Sequence, residues 1–282
     1  MRQPSQARLI GTHVFLVVFT ALTLYPVLWV FRLALESDAG LGGGLLPIPH
    51  DVTFDNFKNV LGTTDANGSW LFGRQLFNSL FVSVLTAGLG LGFSATAAYA
   101  LSRWDFPGRE RAIGAFLVTQ MFPGVVMLIP IYILLDELGL LDSLMGLALV
   151  YSTTSVPFSV WMLKGYFDTI PRALEEAAAL DGCTRFQTFF TVILPLAKPA
   201  LAVVALFSFM TAWNEFILAA TLMGDAHSYT LPVVLNGYVD EYGADWGAFA
   251  AGAIVVSLPV MILFFMLQRY FVEGLTAGSV KG

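Results

Sequence analysis

Six apolar stretches constrain the fold of this chain more than any other feature. They lie at roughly 13–35, 77–101, 112–135, 144–163, 199–223 and 247–271. A helix of about 20 predominantly apolar residues is long enough to cross a lipid bilayer. Only 12% of the residues are charged, whereas a soluble domain has about 25%. We therefore predict an all-α polytopic transmembrane bundle with six spans, forming a single transmembrane domain over residues 1–282.

The positions of the basic residues predict the orientation of these spans. Eleven of the 14 Lys and Arg residues fall at the two ends of the chain and in the second-to-third and fourth-to-fifth loops. Because Lys and Arg are enriched in cytoplasmic loops, we expect both termini to be cytoplasmic. The longest loop, at about 36–76, is then extracytoplasmic, and we expect one short helix in it near Phe54–Leu61.

Several chemistries lack the residues that they need. No phosphate-binding G-x-x-x-x-G-K-[ST] motif is present, so the chain is not expected to hold ATP. The three histidines have no metal-ligand spacing, and the single cysteine, Cys183, excludes an internal disulfide. Basic residues are too few and too dispersed for nucleic acid.

Gly88 and Gly92 form a small-xxx-small pair, which predicts helix packing.

The polar loop at 168–196 predicts two short helices joined by a glycine. We expect the first helix to begin at Pro171 and to end at Gly182. Thr184 and Gln187 have the spacing of a capping box for the second helix. The first helix is rich in alanine and acid, whereas a helix lying on a membrane favours Lys, Arg and bulky apolar residues. This composition favours docking into a soluble partner over an ordinary connector on the membrane.

The same loop carries the clearest resemblance to a known family. The run Glu176-Ala177-Ala178, Gly182 and Val192-Ile193-Leu194-Pro195 resembles the EAA loop of ABC-importer permeases, whose pattern is E-A-A-x3-G-x9-I-x-L-P. Residues 103–108 resemble the family's short second-to-third loop. The run Trp213-Asn214-Glu215-Phe216 resembles a signature of its carbohydrate branch, and residues 275–282 are similar to the tail of the maltose/maltodextrin type.

This resemblance implies a permease subunit of an ATP-driven importer in a bacterial inner membrane. It implies a heterodimer with a second, homologous permease, two ATPase subunits that hold ATP and magnesium, and an extracytoplasmic sugar-binding protein. Maltose/maltodextrin-like oligosaccharides are the implied substrates, and another sugar such as trehalose stays open. The residues implied to couple the permease to the ATPase are Glu175, Glu176, Ala177, Ala178, Asp181, Gly182, Leu194 and Pro195.

One acidic residue, Glu215, falls well inside a predicted span. An intramembrane carboxylate is costly and usually faces a cavity or a partner. At helical spacing it shares a stripe with small and polar side chains, so we name as a candidate translocation path or gate Ser208, Thr211, Asn214 and Glu215. A structural hydrogen bond to a neighbouring helix explains Glu215 equally well.

Two further segments are candidate contacts. The loop at 224–246 is rich in aromatic and acidic residues, and its Asn236, Tyr238 and Asp240 suit a sugar-binding protein; an interfacial aromatic belt is the alternative. The tail at 273–282 is expected to be flexible. Its Thr276, Gly278 and Lys281 are expected to reach the ATPase interface by resemblance, with a frayed terminus as the alternative.

Two other classes of function need residues that this sequence does not provide. A self-contained secondary transporter would need coupling-ion residues within spans or an inverted repeat, and one buried acid argues against it. An intramembrane enzyme would need clustered catalytic polar residues, which the spans lack. We therefore do not expect this chain to be an enzyme.

Overall fold

The structure is a computed structural model that describes residues 6–37, 46–240 and 243–279. The side chains of Ala7, Asp240 and residues 271–279 lie outside this description. The described chain is mostly helical, and one hairpin of two short strands, β1 (Val239–Asp240) and β2 (Gly243–Ala244), precedes the last helix. The helices are α1 (Gln6–Leu35), α2 (Asp55–Leu61), α3 (Leu71–Arg103), α4 (Arg109–Thr119), α5 (Gly124–Glu137), α6 (Leu144–Thr169), α7 (Ala173–Leu180), α8 (Arg185–Thr188), α9 (Leu194–Leu196), α10 (Lys198–Trp213), α11 (Ile217–Leu222), α12 (Leu231–Asn236) and α13 (Trp246–Ser279).

Within the described residues, four helices are long and apolar enough to cross a membrane: Arg8–Leu35, Leu71–Arg103, Leu144–Thr169 and Trp246–Tyr270. Two bent pairs raise the number to six if each pair is one span. The third predicted span, at 112–135, corresponds to the first of these bent pairs, in which α4 and α5 meet at 99°. Pro123 explains this break, since the residue before a proline is disfavoured in helical conformation.

The fifth predicted span, at 199–223, is also interrupted. Helix α10 ends at Trp213 and α11 begins at Ile217, so residues 214–216 leave the helix. Helix α10 also meets the preceding segment, Arg185–Leu196, at 82°. Hydropathy predicted this stretch as apolar but predicted neither the bend before α10 nor the interruption at 214–216.

The chain divides into two compact units. In the first, residues 1–73 and 234–258, a buried ion pair joins Arg32 and Glu36 at 2.9 Å. The hydrogen bond from Arg32 holds the pKa of the Glu36 carboxyl below its ordinary value. The Asn56 amide donates to three carbonyl groups at the C-terminal end of α1. Helix α2, which presents Asn56, confirms the short helix predicted for the long loop.

In the second unit, residues 74–233 and 259–282, the core lies among α3, α6 and α10. A Cβ added to Gly90 would meet the hydroxyl oxygens of Ser155 at 2.9 Å and Ser208 at 3.1 Å. Gly90 therefore permits the close approach of these three helices. The predicted pair Gly88 and Gly92 is wrong for packing within this chain, because added Cβ atoms there would meet open space.

The C-terminal tail differs from its prediction. Helix α13 continues through Ser279, so Thr276 and Gly278 belong to a helix and not to a flexible tail. Lys281 lies outside the described residues.

Candidate functional site

Helix α7 is a short helix with a well-defined C-terminal end. It begins at Ala173, two residues after the predicted start, and the Pro171 carbonyl accepts from Leu174. Gly182 has a φ of 88°, the left-handed conformation that favours glycine. The amides of Gly182 and Cys183 donate to carbonyls in the last turn, at 3.1 and 2.9 Å, which forms a Schellman motif. The predicted helix stop at Gly182 is confirmed.

Glu175 ties α7 to the end of α3. Its carboxylate forms an ion pair with Arg103 and accepts a 2.9 Å hydrogen bond from the hydroxyl of Tyr99. Arg103 also donates to the Ile170 carbonyl at 3.1 Å. Only 6% of the Arg103 side chain and 19% of the Glu175 side chain are exposed. Glu175 and the buried Ala178 therefore form the inward face of α7, and sequence reasoning missed the two partners of Glu175.

The opposite face of α7 is exposed. Glu176, Ala177 and Asp181 point away from the core, and the side chain of Leu180 is 90% exposed. On α8, Phe186 is 73% exposed and its ring lies 4.6 Å from that of Phe190. Leu180 and Phe186 are the most exposed large apolar side chains of the loop, and we call these two residues the docking knob. Sequence reasoning did not name Leu180 as a contact residue, although a leucine two positions before a helix-ending glycine was a usable signal.

The second helix of the loop begins as predicted. The Thr184 hydroxyl accepts from the Gln187 amide and the Gln187 side chain accepts from the Thr184 amide, so the capping box is present. A π-helical segment, Phe189–Ile193, follows and leads into α9, where Leu194 and Pro195 lie. Because Pro195 has no N–H to donate to the preceding turn, a wider helical turn accommodates it. The ring of Phe189 lies 4.7 Å from that of Tyr99, tilted by 34°, and packs the π-helical segment against α3.

A cleft of about 270 Å³ lies between α7 and the end of α3. Glu175, Glu176 and Cys183 are among its lining residues, together with Arg172 and Arg185. The thiol of Cys183 is half-buried there. Cys183 is thus positioned to report whether α7 stays in place.

The carboxylate of Glu215 closes the break between α10 and α11. It accepts from the Tyr151 hydroxyl at 2.6 Å and from the amides of Leu218 and Ala219 at 2.9 and 3.1 Å. The two amides belong to the first turn of α11, where a carboxylate also meets the positive end of the helix dipole. Glu215 thus caps α11 and holds it against α6, which is the arrangement expected of a structural hydrogen bond.

The other predicted path residues do not share one environment. Ser208 is fully buried and Thr211 is half-exposed, whereas Asn214 is exposed. The continuous helical stripe expected through Ser208, Thr211 and Glu215 is wrong, because the helix ends at Trp213. The Ser208 hydroxyl has no hydrogen-bond partner among the described residues.

The outer-loop candidates lie around α12 and the hairpin. Asn236 ends α12 and is exposed, and Asp240 lies in β1. Tyr238 is only half-exposed, and its burial raises the pKa of its hydroxyl above the ordinary value. Asn236 is therefore more accessible than Tyr238.

A mostly helical chain with four to six candidate membrane spans and an anchored helix–glycine–helix loop has the features of a transporter's membrane subunit. The chain belongs to the family of binding-protein-dependent transport system inner membrane components, whose family model matches residues 88–276.

Individual relatives agree with this family. The chain is 39% identical to the maltose/maltodextrin transport system permease protein MalG of Escherichia coli K12, over 100% of this chain and 99% of the relative. It is 38% identical to the diacetylchitobiose uptake system permease protein DasC of Streptomyces coelicolor, over 92% of each chain. A crystal structure of a bacterial ABC transporter involved in alginate import has a chain with a TM-score of 0.79 and 27% identity, covering 96% of this chain and 100% of that chain.

Proposed function

We propose that this chain is a permease subunit of an ATP-driven importer for maltose/maltodextrin-like oligosaccharides in a bacterial inner membrane. Helices α4 and α5 count as one span and α10 with α11 as another, which gives six, while Arg185–Leu196 stays in the cytoplasmic loop. The loop charges favour cytoplasmic termini. The observation that most supports this function is the anchored loop. The Glu175 ion pair fixes α7 to α3, while the docking knob stays exposed for a soluble partner.

The residues of the loop, 168–196, divide into two roles. Glu176, Ala177 and Asp181 lie on the outer face with the docking knob and contact the ATPase. Glu175 and Ala178 anchor the helix, and Gly182 sets the angle between the two helices. Leu194 and Pro195 join the loop to α10. ATP and magnesium belong to two partner ATPases, whose closure the loop transmits to the membrane helices.

The other partners follow from the same assignment. A second, homologous permease completes a heterodimer, and lipid covers the remaining apolar surface. The outer loop at 224–246 contacts an extracytoplasmic sugar-binding protein through Asn236, Tyr238 and Asp240. The C-terminal segment at 273–282, with Thr276, Gly278 and Lys281, reaches the ATPase interface.

The choice of sugar rests on the relatives. MalG of Escherichia coli matches the full length of the chain, and DasC and the trehalose permease SugB of Mycobacterium tuberculosis each match 92% of it at 38% identity. The maltodextrin-type tail, residues 275–282, favours maltodextrins over trehalose. Trehalose is the second candidate because SugB is nearly as similar.

Reconstitution tests this function. The chain is co-expressed with the permease, ATPase and binding protein of its importer and placed in vesicles that contain ATP. Uptake of labelled maltotriose that stops when ATP is omitted is the expected result. Uptake of trehalose in place of maltotriose would change the substrate, and ATP-independent uptake by this chain alone would contradict the importer assignment.

A further inference from the structure

Helices α6 and α10 pack as an antiparallel pair along a series of facing residues. At one point the rings of Phe158 and Phe207 lie 4.5 Å apart. Further along, the Tyr151 hydroxyl donates to Glu215 at 2.6 Å. Thr154 lies between the two α6 residues, and Thr211 lies between Phe207 and the break that holds Glu215, so these threonines occupy the same level of the pair.

The break between α4 and α5 meets α6 at this same level. The side-chain amide of Gln120 donates to the Thr154 carbonyl at 3.1 Å. Gln120 and Thr154 are both exposed, as is Asn214 at the other break. Both interruptions of membrane helices therefore converge on one turn of α6, from Tyr151 to Thr154.

Both threonine hydroxyls and both amides donate to backbone carbonyls, but the side-chain oxygens of Gln120 and Asn214 accept no hydrogen bond among the described residues. Facing lipid would leave these two oxygens unpaired, and burying an unpaired polar group in hydrocarbon costs about 2–7 kcal/mol. Discontinuous membrane helices instead surround substrate sites near the bilayer midplane. Ligand sites combine aromatic side chains with a few placed polar groups, and Phe158 and Phe207 lie at the same surface, each about one-third exposed.

The charges around this surface indicate a neutral ligand. Residues 112–163 and 199–223, which form it, contain no Lys or Arg. The carboxylate of Glu215 is already satisfied by three donors. Hydroxyls and amides suit a neutral polyhydroxylated molecule. A uronate carries a carboxylate, which would find no Lys or Arg at this surface to pair with.

We propose that this chain contacts the passing sugar itself, through a sugar-contact strip made of Gln120, Thr154, Phe158, Phe207, Thr211 and Asn214. The strip rests on the proposed importer function and adds to it the residues that contact the sugar and the reason why acidic sugars are rejected. The two phenylalanine rings cover the apolar face of a sugar ring, and the amides and hydroxyls exchange hydrogen bonds with its hydroxyl groups.

Thiol labelling tests the strip with a matched pair of threonines. Thr211 donates to the carbonyl of Phe207 and Thr96 donates to that of Gly92, each at 2.9 Å and four residues back. Thr96 is exposed on α3, away from the strip. Thr211→Cys and Thr96→Cys are made in a Cys183→Ser background, and the complete importer is placed in nanodiscs. A charged methanethiosulfonate reagent is applied without nucleotide and again after vanadate trapping.

The expected result is that Thr211→Cys reacts at least about tenfold faster than Thr96→Cys in one of the two states, because the reactive thiolate forms in water and hardly at all in lipid. Maltotriose is expected to slow that reaction, and an alginate oligosaccharide to leave it unchanged. Equal, slow labelling of both positions would overturn the strip, since Thr211 would then face lipid or a packed helix. Fast labelling without protection by maltotriose or trehalose would overturn the sugar contact.

A parallel measurement separates the two proposals. Labelled maltotriose and trehalose uptake by the Cys183→Ser importer tests the proposed function on its own, whatever the labelling shows. Fast labelling without ATP-dependent uptake of either sugar would contradict the proposed substrates, although the strip would still be exposed to water. Normal uptake with slow labelling would contradict the sugar-contact strip but would still support the proposed function.

Discussion

At the scale of single residues, neighbouring identical side chains have different roles because their surroundings differ. Glu175 is mostly buried and paired with Arg103 and Tyr99, whereas Glu176 is exposed on the next position of α7. Exposed carboxylates contribute little to stability. Removing one partner of a buried pair is costly because it leaves the other charge uncompensated. The sequence placed both in the ATPase-coupling set and gave no sign of this division.

The native thiol of Cys183 measures this difference. Glu175→Ala should loosen α7 and raise the rate of Cys183 modification at least about tenfold, since a hydrogen bond to a charged group contributes about 1.5–3 kcal/mol. Glu176→Ala, which removes a carboxylate from the same cleft, should leave the rate within about twofold, since an exposed carboxylate contributes little. Equal rates in the two variants would show that the ion pair does not hold the loop.

Glu215 is the second residue whose role depends on its partners. Glu215→Gln and Tyr151→Phe should each lower the thermal stability of the purified importer, and their effects should not add, with a coupling of about 1–2 kcal/mol for groups in direct contact. Additive losses would contradict the hydrogen bond. An unchanged melting temperature in Glu215→Gln, together with altered sugar-stimulated ATP hydrolysis, would place Glu215 in the translocation path instead.

At the scale of elements, the sequence predicted those features that depend on neighbouring residues. The end of α7 at Gly182 and the capping box of α8 involve residues within one or two turns, so their patterns are visible in the chain. The interruption at 214–216 is stabilised by Tyr151, which lies about 60 positions away in sequence, and a continuous apolar stretch hid it. Phe122-Pro123-Gly124 did carry a break signal, which hydropathy alone overrode.

The left-handed turn of Gly182 makes a prediction about the loop as an element. Gly182→Val should lose ATPase association or transport while the protein still reaches the membrane, because a non-glycine residue in this conformation costs about 1–2 kcal/mol and a β-branched one is a clear outlier. Gly182→Asn is the matched control, since asparagine tolerates the left-handed region. Normal transport by a well-expressed Gly182→Val variant would refute the role of the turn.

At the scale of the whole molecule, the sequence predicted a helical membrane protein, and family membership agrees with that. It did not predict which face of the polar loop is exposed. Leu180 and Phe186 are apolar, so composition alone would bury them, and only the packing of Glu175, Ala178 and Phe189 turns them outward. The proposed function therefore depends on the binding of the docking knob to the ATPase.

Co-purification of the ATPase tests this claim most directly. Leu180→Asp combined with Phe186→Asp should abolish ATPase recovery with the tagged permease, because each places a charge in an apolar contact. Leu138→Asp is the matched control. Leu138 is 60% exposed and lies before the N-terminal end of α6, whereas the docking knob follows the C-terminal end of α6. Leu138→Asp should retain the ATPase at the unmodified ratio, while the double variant, equally expressed and equally stable as a permease, should lose it. Full ATPase recovery with the double variant would show that the docking knob does not bind the ATPase.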